Sequence, residues 1–243
     1  MSEAAVASGG EVRIEGPVAL WEAKGDFFSD ALSLGRKERI FDQLNTIDNN
    51  PEVSVLLIAV SGANAGHDKY VDFFSRQLAG RDVNRFVNML AQLAARIMSM
   101  NTFVVQLSHG DLFTAMLGLS MFCDYRLATE EARFHNVFQD VKATPLGGLP
   151  FFLVERVGKG RAYELLLLGD AINARQARDC GLVDRIIPSE DRIGQALEVV
   201  RRFGELDQNT LLKMKSLVNS SHECALQYCE KESRVFVSNF LMS

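Results

Sequence analysis

The stretch VSVLLIAVSGANAGHD, residues 53–68, decides the fold class. Its first eight residues form a continuous, β-branched apolar run, which is typical of a strand buried on both faces of a sheet. The small and polar residues that follow predict a loop at 61–68. Residues 82–100 then place apolar side chains at helical spacing, which predicts an amphipathic helix. A strand, a loop and a helix in this order indicate an α/β protein.

Further strand and helix patterns flank this unit on both sides. Apolar residues at 12–14 and 18–21 surround a Gly-Pro pair and predict a β-hairpin, while residues 34–47 show helical spacing. The second half of the chain is predicted to be mainly helical. The predicted strands there are 103–107, 125–128 and 182–187, and the predicted helices are 112–122, 145–157, 159–168, 173–180, 189–203 and 208–240.

No linker or change in composition divides the chain. Residues 1–10 are small and polar, so we expect them to be disordered. Residues 11–200 carry the alternating strand and helix pattern and are predicted to form the core. Residues 201–243 are predicted to form a C-terminal helical region that packs subunits together. A unit of this length buries enough apolar surface to fold without disulfides.

Composition and charge argue against several classes of function. A net charge of −5 without a basic block predicts no binding to nucleic acid. No apolar run reaches the roughly 18 residues of a membrane-spanning helix, and the first residues show no secretory signal pattern. The four cysteines lack the spacing of a metal site, which predicts free thiols, no metal and a cytoplasmic location.

Six short segments resemble the crotonase superfamily, which contains the enoyl-CoA hydratases and isomerases. The two closing segments are the most specific, because several spaced matches coincide there. The resemblance covers roughly residues 12–240 and implies the α/β crotonase (ClpP-like) fold, in which repeated ββα units precede a helical C-terminal region. The matching segments are DAL (30–32), AGHD (65–68), GDLFTAMLGLSMFCD (110–124), TPLGG (144–148), LGD (168–170) and GLVD (181–184).

The resemblance also implies a ligand and a site. Members of this family bind an acyl thioester of coenzyme A and stabilise its enolate oxygen with two backbone N–H groups, an oxyanion hole. By position these donors are the amides of His67 and Ala115, and Asn64, Ala65 and Gly66 would line the coenzyme A groove. Coenzyme A would be the substrate carrier, with acyl carrier protein as the alternative, and no cofactor would be bound permanently. The family forms trimers or dimers of trimers.

The sequence departs from a hydratase at two positions. Family hydratases activate water with two glutamates, and Gly118 and Phe138 stand in their places. Neither side chain titrates, so water addition is not expected. His135, Asp140 and Lys69 remain as candidate acid/base groups. Each of the three also fits a structural role, as a surface or subunit-contact side chain.

A group of decarboxylating crotonases shares the loss of both glutamates. These enzymes resemble this chain in a phenylalanine at the position of Phe138 and, in some of them, a lysine at that of Lys69, although Ser216 replaces their second catalytic histidine. The sequence therefore predicts decarboxylation or isomerisation of an acyl thioester. A non-catalytic acyl-CoA-binding or assembly protein remains the alternative. His109 and Asp111 are expected only to shape a turn.

Overall fold

The computed structural model describes residues 9–76, 78–138, 140–141 and 143–242. Within them the strands are β1 Gly9–Glu15, β2 Val18–Lys24, β3 Val55–Ser61, β4 Phe103–His109, β5 Asp111–Phe113, β6 Tyr125–Thr129, β7 Arg133–His135, β8 Ala171–Asn173 and β9 Arg185–Ile187. The helices are α1 Phe27–Leu32, α2 Leu34–Asp48, α3 Gly62–Ala65, α4 His67–Ser75, α5 Gly80–Ser99, α6 Thr114–Ser120, α7 Leu149–Tyr163, α8 Ala174–Asp179, α9 Arg192–Gly204, α10 Gln208–Asn219 and α11 Glu223–Met242. A π-helical turn at Glu164–Leu168 follows α7, and a 3₁₀ turn at Ser220–His222 separates α10 from α11.

The main sheet contains β1, β2, β3, β4, β6 and β9 in that order. β1 and β2 pair antiparallel as a hairpin, and the later neighbours pair parallel. Parallel neighbours need a crossover connection, and α2 and α5 lie in the connections on either side of β3. A second sheet of β5, β7 and β8 begins shortly after β4 ends and carries part of the candidate site.

The apolar run of β3 is buried on both faces, as predicted. Leu56 and Ile58 belong to the larger core cluster, which includes residues of α2 and α5. Val55 and Leu57 belong to a smaller cluster with residues of α9 and α10. None of the four exposes more than 6% of its surface. Helices cover both faces of the sheet, so this strand shows no polar alternation.

Most predicted elements are confirmed with small changes at their ends. The hairpin is formed by β1 and β2, and α2, α5, β3, β4 and β6 lie where the sequence predicts them. The strand predicted at 182–187 is the shorter β9. The break expected between helices 145–157 and 159–168 is present, because Gly158 adopts a φ of 74° that interrupts α7.

Other predictions were wrong in detail. The helix predicted at 112–122 begins only at Thr114, because the residues before it extend as β5 beside β7. The loop predicted at 61–68 instead holds α3 and the start of α4. The single helix predicted at 208–240 divides into α10 and α11 at Ser220–His222. Strands of three residues such as β5 carry too short a pattern to be recognised.

The disorder predicted for residues 1–10 falls mostly on residues 1–8, which lie outside the described residues. Gly9 and Gly10 begin β1 instead. The Gly10 N–H donates to Oε1 of Gln43 in α2 at 3.0 Å. This hydrogen bond ties the start of the strand to a helix, so β1 begins earlier than predicted.

An aromatic cluster joins the helices that surround the candidate site. Phe28 of α1 stacks on Phe86 of α5 with ring centroids 5.6 Å apart. Phe113 of β5 packs against Phe28 at 5.2 Å and against Tyr70 of α4 at 5.0 Å. Aromatic pairs at such separations each contribute about 0.5–1.5 kcal/mol beyond their burial. Among the helices described, none is both long and apolar enough to cross a membrane.

Candidate active site

Two helices, α4 and α6, begin beside each other after the ends of β3 and β4. α4 begins at His67 and α6 at Thr114, and an antiparallel bridge between Gly66 and Leu112 joins the segments that lead into them. The first N–H groups of any α-helix have no carbonyl partner within that helix. No described side chain caps either start. The amides of His67 and Ala115 are therefore among the donors that their own helices leave unsatisfied.

Glycines allow the two leading segments to approach closely. A Cβ on Gly62 would lie 2.6 Å from the carbonyl oxygen of Asp111 in the other segment, and a Cβ on Gly66 would lie 3.5 Å from the same oxygen. This carbonyl belongs to the main chain, so a larger residue at Gly62 would force the segments apart. Tyr70 packs on Phe113 one turn further in. Burial raises the pKa of the Tyr70 hydroxyl far above its ordinary value, so this side chain stays neutral.

Two imidazoles lie beside these helix starts. The rings of His67 and His135 have centroids 4.8 Å apart. His67 Nδ1 lies 2.7 Å from Asp68 Oδ1, and His135 Nε2 lies 2.7 Å from Asp111 Oδ1. The Thr114 hydroxyl donates to the main-chain carbonyl of His135 at 2.6 Å, which holds β7 against the start of α6.

Each imidazole of this pair has one nitrogen held by a carboxylate and one nitrogen outside that contact. When the held nitrogen carries the proton of a neutral ring, the other nitrogen is an acceptor, and it becomes a donor once the ring is protonated. The side chains of His67 and His135 are 32% and 25% exposed. The pair therefore has the chemistry of a proton-transfer group that a ligand could reach.

Two cavities meet at the histidine pair. The larger has a volume of about 760 Å³ and the smaller a volume of about 220 Å³, and His67 and His135 line both. Lys69 lines the larger cavity and Asp140 the smaller. The three side chains that the sequence proposed as acid/base groups, His135, Asp140 and Lys69, thus line these two cavities together with His67. Ala115 is buried in α6 and lines neither of these two cavities.

The two residues expected only to shape a turn have further contacts. Asp111 holds His135, as described above. His109 lines the larger cavity, and its Nδ1 lies 3.0 Å from the hydroxyl of Thr129. Burial, together with the positive charge of Arg192, lowers the pKa of His109. Within the described ranges, no group of three or more histidine, cysteine or carboxylate side chains is arranged to hold a metal ion.

Neither position of the family glutamates offers a carboxylate. A Cβ on Gly118 of α6 would lie 2.4 Å from the carbonyl oxygen of Gly147 and 2.9 Å from the amide nitrogen of Leu149. Main chain therefore fills the space where the first glutamate side chain would begin. Phe138, at the second position, is 5% exposed and packs in the larger core cluster. No water-activating pair can form at these two positions.

A third, apolar cavity of about 60 Å³ lies behind the helix starts. Asn64, Ala65 and Met116 line its end nearest to them, and its other walls are mostly aliphatic and aromatic side chains. Asn64 is fixed by a hydrogen bond of 3.1 Å to the carbonyl of Gly25. Of the residues predicted to line a coenzyme A groove, Asn64 and Ala65 thus face this cavity, and Gly66 lines the 760 Å³ cavity.

Sequence reasoning missed three charged residues at this site. Asp111 and Arg133 are partners in the register of β5 and β7, and Arg192 is the first residue of α9. All three line the 760 Å³ cavity. No local pattern joins them, because β7 is only three residues long and Arg192 comes from a distant part of the chain. Their meeting follows from the tertiary fold alone.

Sequence comparison relates the chain to proteins of known class. A sequence model described as enoyl-CoA hydratase/isomerase matches residues 29–242. A 2,3-dehydroadipyl-CoA hydratase of Escherichia coli (strain K12) is 30% identical over 152 residues, 62% of this chain and 60% of that protein. A probable mitochondrial enoyl-CoA hydratase of Dictyostelium discoideum is 32% identical over 123 residues, 50% of this chain and 44% of that protein. The chain thus spans about half the length of these relatives.

Solved structures show the same architecture. An enoyl-CoA hydratase from Bacillus halodurans superposes with a TM-score of 0.78 at 17% identity, covering 96% of this chain and 95% of that one. An enoyl-CoA hydratase from Mycobacterium avium subsp. paratuberculosis K-10 superposes with a TM-score of 0.72 at 23% identity, covering 98% and 92%. At these identities the likeness establishes the fold, and the predicted α/β crotonase fold is confirmed.

Proposed function

Because the chain belongs to the enoyl-CoA hydratase/isomerase family, we propose that it binds an acyl thioester and stabilises the enolate formed from it. The carrier is coenzyme A or, alternatively, an acyl carrier protein. The reaction is decarboxylation or double-bond isomerisation rather than hydration. The observation that carries the proposal is the junction of α4 and α6, where two uncapped helix starts adjoin a pair of carboxylate-held imidazoles.

In this proposal the amides of His67 and Ala115 bind the thioester oxygen. An enolate places negative charge on that oxygen, and fixed N–H donors lower its energy most where water is excluded. The positive ends of two helix dipoles act in the same direction. Backbone donors do not depend on their side chains, so Thr114, Ala115 and Met116 are compatible with the role in place of the family's glycines.

Both candidate reactions pass through this enolate. In decarboxylation the bond from a carboxylate to the α-carbon, or to the γ-carbon of an α,β-unsaturated thioester, breaks. Carbon dioxide leaves, and the electron pair of that bond moves towards the thioester oxygen to give the enolate or dienolate. In isomerisation a base removes a proton from the α-carbon, and the electron pair of the broken C–H bond moves onto the thioester oxygen. The enolate is then protonated at carbon. His135, held by Asp111, is the proposed proton carrier, and His67, Lys69 and Asp140 are the further groups within the same two cavities.

The acyl chain of the substrate would enter the apolar cavity next to Ala65 and Met116. An apolar cavity of about 150 Å³ accommodates a benzene ring. The cavity of about 60 Å³ is much smaller, so it suits a short acyl chain. This size favours substrates of few carbons beyond the thioester.

The proposal is tested with a panel of purified thioesters. Malonyl-CoA and glutaconyl-CoA probe decarboxylation, 3-butenoyl-CoA probes isomerisation, and crotonyl-CoA probes hydration. We expect carbon dioxide release or a double-bond shift with at least one probe, deuterium uptake at the α-carbon of butyryl-CoA in heavy water, and no hydration of crotonyl-CoA. Absence of turnover and of deuterium uptake across the panel would rule out enolate catalysis.

A specific observation favours a second candidate, a non-catalytic acyl-CoA-binding protein. Main chain fills the space beside Gly118, and Phe138 is buried in the core, so both positions have been closed to carboxylates. Titration calorimetry with butyryl-CoA separates the two candidates. Tight binding without turnover supports the binding protein, and absence of binding leaves only a structural role.

A further inference from the structure

The 760 Å³ cavity extends well beyond the histidine pair. Its far walls come from the end of β4, from β7 and from the start of α9, and they carry His109, Arg133 and Arg192. Lys69 of α4 closes the wall nearest the histidines. Small-molecule sites commonly have volumes of about 300–1,000 Å³. This cavity therefore has room for an organic ligand rather than an inorganic ion alone.

The cavity is positively charged in a protein whose net charge is −5. Its lining contains the basic side chains Lys69, Arg133 and Arg192 and the acidic side chains Asp68 and Asp111. Each of these carboxylates already contacts an imidazole at 2.7 Å. Three basic side chains against two acidic ones leave a formal charge of +1 on the lining. Lys69 also lies 4.0 Å from Asp26, so the positive charge without an acidic partner is that of the two arginines.

The two arginines form no ion pair within 4.0 Å among the described residues, in contrast to Arg96, which pairs with Asp48 at 2.8 Å. Arg133 lies opposite Asp111 in the strand register, yet the Asp111 carboxylate contacts His135. Arg192 is half-buried at the start of α9. Its charge is close enough to His109 to help lower the pKa of that imidazole. Two guanidinium groups on different walls are thus left without an acidic partner.

We propose that this cavity binds a small organic molecule through a phosphoryl group, with Arg133 and Arg192 as its main ligands. A guanidinium offers a planar fork of N–H donors that matches phosphoryl and carboxylate oxygens. A phosphoryl group presents three acceptor oxygens and nearly two negative charges, so it can use cations from two walls at once. A carboxylate carries a single charge and is satisfied by one guanidinium. The phosphoryl site shares this cavity with the histidine pair of the proposed function, but its binding can be measured without turnover.

The test measures binding by calorimetry at low ionic strength, with pyrophosphate and inorganic phosphate as probes and succinate as the carboxylate comparison. We expect the phosphate probes to bind more tightly than succinate, with affinity falling as salt is added. Arg133→Gln and Arg192→Gln should each weaken pyrophosphate binding by about tenfold or more, since a hydrogen bond to a charged group is lost. Arg185→Gln is the matched control, because Arg185 is exposed on β9 and lies outside the cavity.

Unaltered melting temperatures of the three variants will show that folding is intact, as expected for surface substitutions. A second comparison, between coenzyme A and dephospho-coenzyme A, identifies the source of the phosphoryl group. If only coenzyme A loses affinity in the Arg133 and Arg192 variants, its 3′-phosphate is the ligand. If coenzyme A and dephospho-coenzyme A bind these variants with unchanged affinity while pyrophosphate binds them more weakly, the ligand is a separate phosphorylated molecule. Equal binding of succinate and pyrophosphate, or pyrophosphate binding that neither variant weakens, would overturn the proposal.

Discussion

At the residue scale, the position of Gly118 has no room for a side chain, because the main chain of Gly147 and Leu149 occupies the adjoining space. A family hydratase would carry a glutamate here. This chain therefore differs from such a hydratase in the path of its main chain as well as in the missing carboxylate, since the neighbouring turn fills the space of the glutamate side chain. A carboxylate cannot be restored by substitution alone, because the turn would have to move with it.

Replacing Gly118 with glutamate should destabilise the protein rather than create a hydratase. Overpacking a well-packed site typically costs about 1–3 kcal/mol and more where backbone must move. Denaturant unfolding measures the loss, and crotonyl-CoA hydration measures activity. Gly160→Glu is the matched control, because Gly160 is exposed and an added Cβ there meets no atom within 4 Å. A stable Gly118→Glu protein with hydratase activity would contradict this account.

Asp111 is expected to act by positioning His135. Asp111→Ala should slow deuterium uptake into butyryl-CoA by about 10²-fold, the lower end of what general acid–base groups contribute, with little change in KM. Asp111→Asn should retain part of the rate, because its amide oxygen still accepts from the imidazole. Nitrogen-15 spectra of the histidines should report a changed tautomer in Asp111→Ala.

Asp68→Asn is the comparison for Asp111, because Asp68 holds the other imidazole from a fully exposed position whereas the side chain of Asp111 is 65% exposed. Water competes with such a contact, so its removal should change the rate much less. Equal losses in Asp111→Ala and Asp68→Asn, or an unaltered tautomer in the former, would show that Asp111 does not position His135.

Residue types and spacing identified part of this site. His67 and Lys69 follow the 65–68 segment directly, and His135 and Asp140 flank Phe138, so a family pattern could point to them. Asp111 could not be found in this way. Its contact with His135 depends on the parallel pairing of β5 and β7. This pairing places His135 opposite Phe113, which is two residues after Asp111 on the same strand. Nothing local in the sequence encodes that pairing.

At the element scale, helix α11 reaches the site through one buried carboxyl group. Oε2 of Glu232 accepts a hydrogen bond of 3.0 Å from the Gly148 N–H, and its Oε1 has no partner in the described part of the protein. A Cβ on Gly147 would lie 2.5 Å from the carbonyl oxygen of Ala115. The carboxyl therefore supports the turn that packs against α6 at Ala115 and Gly118.

The carboxyl group of Glu232 should make stability depend on pH. Burial raises its pKa to about 8, although the amides of Gly147 and Gly148 act in the opposite direction. In the unfolded chain its pKa lies near the ordinary value of 4.5. Between these two values the folded state binds more protons, so the free energy of unfolding falls as pH rises, by an amount on the order of a few kcal/mol.

Glu232→Gln removes this titration and keeps an acceptor for Gly148. Its melting temperature relative to the unaltered protein should therefore rise from pH 5 to pH 8 and then level off. Glu230→Gln, an exposed substitution on the same helix, should show no such trend. A difference between Glu232→Gln and the unaltered protein that does not vary with pH would mean that Glu232 is ionised throughout.

The elements themselves were predictable in proportion to their length. α5 spans 20 residues and β3 shows seven consecutive strand residues, so each carries several repeats of its pattern. β5, β7 and β8 have three residues each, which is fewer than two strand repeats. These short strands build the second sheet and support the candidate site, so the part of the fold closest to function was the part that sequence periodicity could not show.

At the scale of the whole molecule, the C-terminal region leaves apolar surface exposed. Met214 and Leu217 lie three residues apart on α10, a spacing that puts them on one face, and they are 55% and 70% exposed. The sequence predicts that residues 201–243 pack subunits together. Exposed apolar side chains grouped on one helix are typical of surfaces that another protein covers.

We therefore expect a trimer or a dimer of trimers in solution, held in part by this face of α10. Leu217→Asp places a charge where apolar contact is expected, and it should shift sedimentation equilibrium toward the monomer. Leu34→Asp is the control, because Leu34 is also exposed, at 62%, and an acidic residue in the first turn of α2 agrees with the helix dipole. If the unaltered protein sediments as a monomer, or if both variants dissociate equally, then α10 is not the surface that joins the subunits.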